Sequence, residues 1–265
     1  MKKLDYKNKI VVLTGASSGI GKAIARELIT KHGCLVFAIA RNAQRLDDAK
    51  AELGENYVPF PFDVGERENW ENFADFLQKT SLRVDILINC AGALPKFKEV
   101  ADTDIEAFES AFSVNFFSQL YACKLLLPYV NDLGAIVNIS SASALCPFGL
   151  TGAYGASKSA SKQFSESFSA ELKRIRVSTV MPGFVRTDIM KNQGISDKDA
   201  RLVNKFSADC DKTVRKLLRR VRRRKRRIVI GLDARLLSFM YRVFPRTAPR
   251  FITWFLKKSG LELFN

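Results

Sequence analysis

Tyr154 and Lys158 stand four residues apart in the segment Tyr154-Gly155-Ala156-Ser157-Lys158. On a helix that spacing puts both side chains on one face. A phenol has a reference pKa of about 10 and is a poor base at neutral pH. A neighbouring ammonium stabilises the phenolate, so the pair becomes an acid/base device. Ser141 lies upstream, at the end of an apolar run, where its hydroxyl is placed to bond a substrate oxygen. Each residue has a plainer reading too: Lys158 as helix surface, Ser141 as a strand-end cap.

A second group has the character of a phosphate cradle. Thr14-Gly15-Ala16-Ser17-Ser18-Gly19-Ile20-Gly21 follows the apolar run Lys9–Thr14 and opens the segment Ile20–His32. Glycines permit a tight turn and let backbone N–H groups approach a pyrophosphate, and the following helix start adds favourable partial charge. The next apolar run ends Ala38-Ile39-Ala40-Arg41-Asn42. Dinucleotide folds that prefer NAD place a carboxylate there, whereas an arginine suits a 2′-phosphate. Arg41 therefore favours NADP(H) over NAD(H), against the alternative of a solvated residue at a helix start.

The elements that must position these groups alternate regularly. Strand-like runs at Lys9–Thr14, Leu35–Ala40, Tyr57–Phe62, Asp85–Ile88, Gly134–Ser140, Ile175–Val180 and Arg227–Gly231 are separated by helical patterns. Those helices are expected over Ile20–His32, Asn42–Leu53, Glu66–Lys79, a long region ending in Ser113–Tyr129, and Ala153–Lys173. The strands are apolar throughout, which implies a parallel sheet covered on both faces. The expected fold is α/β: a Rossmann-type doubly wound parallel sheet of about seven strands, with its site at the carboxyl ends of the strands. The chemical motifs fall there. Residues 1–231 read as one dinucleotide-binding and catalytic domain with a flap over 190–211, and 232–265 as a helical extension packed on it.

The chain has 265 residues, five scattered cysteines and one histidine. No metal site or disulfide framework is expected, and reduced thiols suit a cytoplasmic setting. No run approaches the roughly 20 apolar residues that span a bilayer.

Together these residues resemble the short-chain dehydrogenase/reductase family in its single-domain, NADP-preferring form, over about Lys9 to Gly231. The resemblance rests on the glycine turn Gly15, Ser17, Ser18, Gly19, Ile20 and Gly21, and on Asp63-Val64, which matches the pair that contacts adenine. Asn89-Cys90-Ala91-Gly92 is similar to the family's Asn-Asn-Ala-Gly segment, with Cys90 replacing the second asparagine. Asn115 matches a helix asparagine that supports a proton relay through water. Ser141 lies 13 residues before Tyr154, the usual family separation, and Tyr154 and Lys158 match the central Tyr-x-x-x-Lys. Pro182, Gly183, Val185 and Thr187 match the segment that holds the nicotinamide carboxamide. The resemblance implies catalysis by Asn115, Ser141, Tyr154 and Lys158. Lys158 would anchor the nicotinamide ribose and depress the Tyr154 pKa. The connection from Glu171 to Ile175 is shorter than usual in the family, which alters a turn remote from the site.

The formal net charge is +16, and 17 of the 43 Lys/Arg lie in residues 212–258 beside a single acid, Asp233. The rest of the chain is electrically neutral, so the excess is local. Lys212–Arg227 is a basic tract. Leu236, Leu237, Met240, Tyr241 and Phe244 then share one helical face, and Phe251, Ile252, Trp254, Phe255 and Leu256 follow beyond Pro245 and Pro249. These helices either complete the core or a dimer interface, or attach the protein peripherally to an anionic membrane surface. The pattern is similar to that of the hydroxysteroid dehydrogenase-like branch. Nucleic acid is disfavoured, because no aromatics interleave the basic run.

The expected activity is interconversion of a carbonyl and an alcohol on a small apolar substrate such as a ketosteroid-like, fatty or acyl ketone. Cys146, Phe148 and Leu150 are expected to line an apolar wall. The alternative is a non-enzymatic NADP-binding sensor or scaffold. The resemblance also implies a homodimer or homotetramer.

Overall fold

The computed structural model describes residues 3–187 and 207–259. Seven parallel strands form one sheet in the order β3-β2-β1-β4-β5-β6-β7. They are β1 (Ile10–Thr14), β2 (Leu35–Ala40), β3 (Tyr57–Pro61), β4 (Val84–Asn89), β5 (Val130–Ile139), β6 (Arg176–Pro182) and β7 (Arg227–Ile230). Strand order reverses between β1 and β4, and the glycine turn after β1 and the Asn89-Cys90-Ala91-Gly92 segment at the end of β4 lie at the carboxyl ends that flank this crevice.

The uninterrupted apolar character of the strands has a direct cause. Neighbouring residues of one strand point to opposite faces, and both faces are covered. Val11 and Leu13 enter one core with Ile24 and Leu28 of α1 (Gly19–His32). Val12, between them, enters the other with Trp70, Phe73 and Leu77 of α3 (Arg67–Lys79). Asn42 precedes α2 (Ala43–Leu53), and its side chain accepts the Arg45 N–H, which fixes the chain direction just after β2.

The strands and helices follow the expected periods, with one difference at the fifth strand. It begins at Val130 rather than Gly134, and its pairing with β4 shifts register between Val84 and Ile86. Leu133 sits at φ 65°, and a side chain added at Gly134 would strike the backbone oxygens of Asn131 and Asp85. The polar residues Asn131 and Asp132 at this bulge hide the strand from an apolar-run reading.

The long helical region is also broken in a specific way. α4 (Ile105–Phe112) passes through a π-helical turn, Ser113–Phe117, into α5 (Ser118–Leu126). After β5 a short 3-10 turn, Ala142–Ala144, and a loop lead to α6 (Gly152–Glu171). α6 turns a stripe of small polar residues inward: Ser157, Ser161, Ser165 and Ser169 are all buried. Ser161 donates to Gln119 Oε1 at 2.5 Å, and Ser165 shares a hydrogen bond with Thr179 at 2.7 Å. Each buried hydroxyl is thereby satisfied, and α6 is fixed in rotation about its axis.

The C-terminal part supplies α7 (Cys210–Arg222), α8 (Leu232–Val243) and α9 (Ala248–Lys258). Asp209 caps α7 by accepting the Lys212 N–H. α7 packs Val214, Leu217, Leu218 and Val221 beside α1 and leaves its cations outward. α8 and α9 pack on the loop that follows the 3-10 turn, through Leu237, Met240, Tyr241 and Ile252. Most of the flap expected over 190–211 lies outside the described residues. Its end is tied down by a bridge between Ala208 and Val185.

Candidate active site

The glycine turn is built by steric need. Gly15 and Gly19 sit at φ 66° and 51°, a region that side chains rarely adopt. A side chain at Gly15 would press on the Ala91 backbone, and one at Gly21 would strike the carbonyl of Gly15. Thr14 locks the turn to the end of β4: its hydroxyl accepts the N–H groups of Cys90 and Ala91, both at 2.9 Å. The result is a backbone cradle at a helix start, suited to a diphosphate.

A cavity of about 390 Å³ opens beside it, within the size range of small-ligand sites. Of the residues singled out from the sequence, Gly15, Ser18, Gly19, Ile20, Gly21, Gly92, Ser141, Phe148, Tyr154, Lys158, Pro182, Gly183, Val185 and Thr187 line it. One continuous cavity thus joins the glycine cradle to the tyrosine–lysine pair.

Ser141 stands beside the Tyr154 phenol, close enough to act on its titration. Ser141 also N-caps the 3-10 turn by accepting the Ser143 N–H at 3.2 Å, so its capping and site positions coincide. Adjacent Ser140 has no such freedom: it is buried and donates to the Lys158 carbonyl at 2.7 Å. Burial raises the Tyr154 pKa, and Ser141 opposes the rise. The net direction is upward, opposite to the depression expected from Lys158. The reason is visible at Lys158. Its ammonium is buried and donates to the Ile139 carbonyl at 3.2 Å, and burial lowers its own pKa to about 8, with Cys90 opposing. Both groups are biased toward their neutral forms, so Tyr154 is held as a protonated phenol near pH 7.

Asn115 occupies the π-helical turn and is buried. It accepts the Ala93 N–H and donates to the Ala93 carbonyl, each at 2.9 Å, and donates to Ser157 at 2.9 Å. A side chain at Gly92 would meet both Asn115 Oδ1 and Lys158 Nζ. Gly92 is therefore the gap across which these two side chains face each other. A π turn commonly marks such a functional position.

Other residues fall elsewhere. Asn89, grouped with the cofactor residues, turns its amide to Asn138 at 2.8 Å and bridges β4 to β5. It does not line the cavity, and neither do Ser17, Asp63, Val64 and Ala91. Val64 is core, with its carbonyl held by the Trp70 indole at 2.9 Å. Asp63 accepts the Gly65 N–H at 2.8 Å and pairs with exposed Arg41 at 3.6 Å. Cys146 and Leu150, expected on the substrate wall, are buried and do not line it. Cys146 packs against Ala248 and Ile252 of α9, because the loop folds under the C-terminal helices.

Their place on the apolar wall is taken by Leu94, Phe97, Phe184 and Leu237, with Phe148. Cys90 also reaches the cavity, and burial holds it as a neutral thiol with a pKa of about 12. Arg45, one turn beyond Arg41, lines the cavity. Asp233 is the least obvious addition. It sits at the start of α8 and accepts the Phe184 N–H at 2.7 Å. A side chain at Gly183 or Gly231 would collide with it. Its signal in the sequence is its isolation as one acid among 17 cations.

Comparison with known proteins agrees with this geometry. The model of the short chain dehydrogenase family matches residues 9–198, and the chain belongs to that family of oxidoreductases. It is 34% identical over 203 residues to an 11-beta-hydroxysteroid dehydrogenase-like 2 protein of Arabidopsis thaliana, covering 73% of this chain and 65% of the relative. A short-chain dehydrogenase structure from Streptomyces avermitilis superposes with a TM-score of 0.77 at 26% identity, covering 96% of this chain and 97% of that one. A closed serine dehydrogenase structure complexed with NADP+ superposes at 0.74 with 25% identity, covering 83% and 94%.

Proposed function

We propose that this protein is an NADP(H)-dependent reductase of apolar ketones in which Tyr154 is the proton donor. The observation that carries the proposal is the single cavity lined by the glycine cradle, by Ser141, Tyr154 and Lys158, and by an apolar wall.

The residues present fit the cofactor. Gly15 and Gly21 let the turn pack closely where a side chain would meet the Ala91 backbone or the Gly15 carbonyl, and the tight backbone cradle this leaves suits the diphosphate. Arg41, just after β2, and Arg45, in the first turn of α2 and lining the cavity, offer two cations to a 2′-phosphate near where NAD-preferring folds place a carboxylate. The pair between Arg41 and Asp63 is exposed and long, so it exchanges readily for a phosphate. Lys158 would hold the nicotinamide ribose, and Pro182, Gly183, Val185 and Thr187 the carboxamide. When bound, the cofactor supplies the hydride.

The chain's own residues supply the rest. Ser141 and Tyr154 orient the substrate carbonyl by hydrogen bonds to its oxygen. Tyr154 transfers its phenolic proton to that oxygen as negative charge develops. Its raised pKa keeps the proton available at neutral pH. Lys158 keeps the charge of the resulting phenolate within bounds, and Asn115 fixes the backbone opposite it. Leu94, Phe97, Phe148, Phe184 and Leu237 exclude water and select an apolar substrate.

Two titrations test this reading. NADPH and NADH binding are followed by nucleotide fluorescence, and NADPH consumption by absorbance against a panel of apolar ketones. NADPH is expected to bind more tightly, and at least one ketone to be reduced. Arg41→Asp is expected to weaken NADPH binding by about 10- to 100-fold, equivalent to roughly 1.4–3 kcal/mol, while affecting NADH little. NADPH binding without turnover across the panel would instead identify a sensor or scaffold.

A further inference from the structure

α8 and α9 bury one apolar face each and expose a second. On α8, Leu237 and Met240 pack inward, while Leu232, Leu236, Phe239 and Val243 are 82%, 58%, 61% and 47% exposed. Those four positions follow the spacing of one helical stripe. On α9, Ile252 and Leu256 pack inward, and Phe251, Trp254 and Phe255 are each more than half exposed. A helix that is apolar on opposite faces is normally enclosed, and a contiguous exposed patch of this kind marks an interaction site.

Charge decides which partner fits. Arg235, Arg242, Arg246, Arg250 and Lys258 are all exposed around the stripe. Lys258 lies over the Trp254 ring at 5.1 Å. The only acid on the two helices, Asp233, is turned inward to Phe184. A second copy of this surface would oppose cation to cation. Nucleic acid would leave the phenylalanines and the tryptophan in water. An anionic bilayer accepts both components: headgroups meet the cations, and the aromatic and aliphatic side chains enter the boundary with the acyl chains. At 12 and 11 residues the helices are far shorter than a membrane span, and no described helix is long and apolar enough to cross one.

We propose that the outer faces of α8 and α9 dock the protein in the plane of an anionic lipid surface. Leu237, on the inner face of α8, lines the cavity, so docking sets the cavity wall one helix thickness from the lipid. The proposal is independent of the reaction assigned above.

Co-sedimentation of the full chain with vesicles of phosphatidylcholine alone, or mixed with phosphatidylglycerol, tests it. The protein is expected to pellet with the mixed vesicles at low salt and much less with phosphatidylcholine alone. Trp254 emission is expected to shift to the blue on binding. Trp70 is fully buried, so the shift reports Trp254. Leu236→Ser combined with Phe239→Ser leaves the charge unchanged and alters only exposed positions; it is expected to weaken partitioning at least 10-fold with the thermal midpoint retained. Three results would overturn the proposal: wild-type protein that stays in the supernatant with anionic vesicles at low salt, a double variant that partitions like wild type, or a dimer that the double substitution dissociates with no vesicle binding in either form.

Discussion

Lys158 is the residue at which function and stability most clearly oppose each other. Its ammonium is buried and donates to the Ile139 carbonyl, and burial lowers its pKa from 10.5 to about 8. Since the folded-state value is the lower one, the unfolded chain binds more protons between about pH 8 and 10.5. Lys158 therefore destabilises the fold below pH 8, and the penalty fades as pH rises through that window. Lys158→Met is expected to raise stability at pH 7 by roughly 1–3 kcal/mol, less the loss of the bond to Ile139. The gain should shrink toward pH 10, and turnover should be lost. Thermal melts of both proteins at several pH values check the sign. A gap that widens with pH would contradict it. The sequence shows that Tyr154 and Lys158 share a face. It does not show that the lysine leans on Ile139, because that depends on how deeply α6 sits against β5.

At the scale of elements, the alternation of apolar runs and helical periods makes the sheet legible in advance, since strands covered on both faces have no polar side to confuse the pattern. The glycine turn is legible for a similar reason, because its conformation admits few other residues. The π-helical turn is different. Ser113–Phe117 carries no local signal, and its value is that Asn115 meets the backbone of Ala93 from both sides. Asn115→Ala would leave that N–H and carbonyl without partners and release Ser157. A loss of about 2 kcal/mol is expected, seen as a fall in thermal midpoint of about 4–8 °C. An unchanged midpoint would show that the turn holds itself. The serine stripe of α6 was equally hidden, because alternating small polar residues read as surface until Gln119, Asn138 and Thr179 are known to face them.

For the molecule as a whole, the C-terminal helices are part of the site rather than an appendage. The Thr253 hydroxyl of α9 accepts the Gly149 N–H at 2.7 Å, Lys257 pairs with Glu99 at 2.5 Å, and Asp233 fixes the strand end that bears Phe184. This arrangement explains why Cys146 and Leu150 left the cavity wall: proximity in sequence to Tyr154 was visible, but the helices that draw the loop away lie about a hundred residues later. Thr253→Val is expected to raise KM for the ketone by about 3- to 10-fold, since roughly 1 kcal/mol of loop anchoring is lost, while NADPH affinity stays unchanged. Equal loss of NADPH binding would place the helix in support of the cofactor instead. The central claim concerns proton donation by Tyr154, and single-turnover oxidation of bound NADPH by a ketone substrate tests it most directly. Tyr154→Phe is expected to bind NADPH with wild-type affinity and to oxidise it about 10²- to 10⁴-fold more slowly. Oxidation at the wild-type rate in that variant would contradict the account.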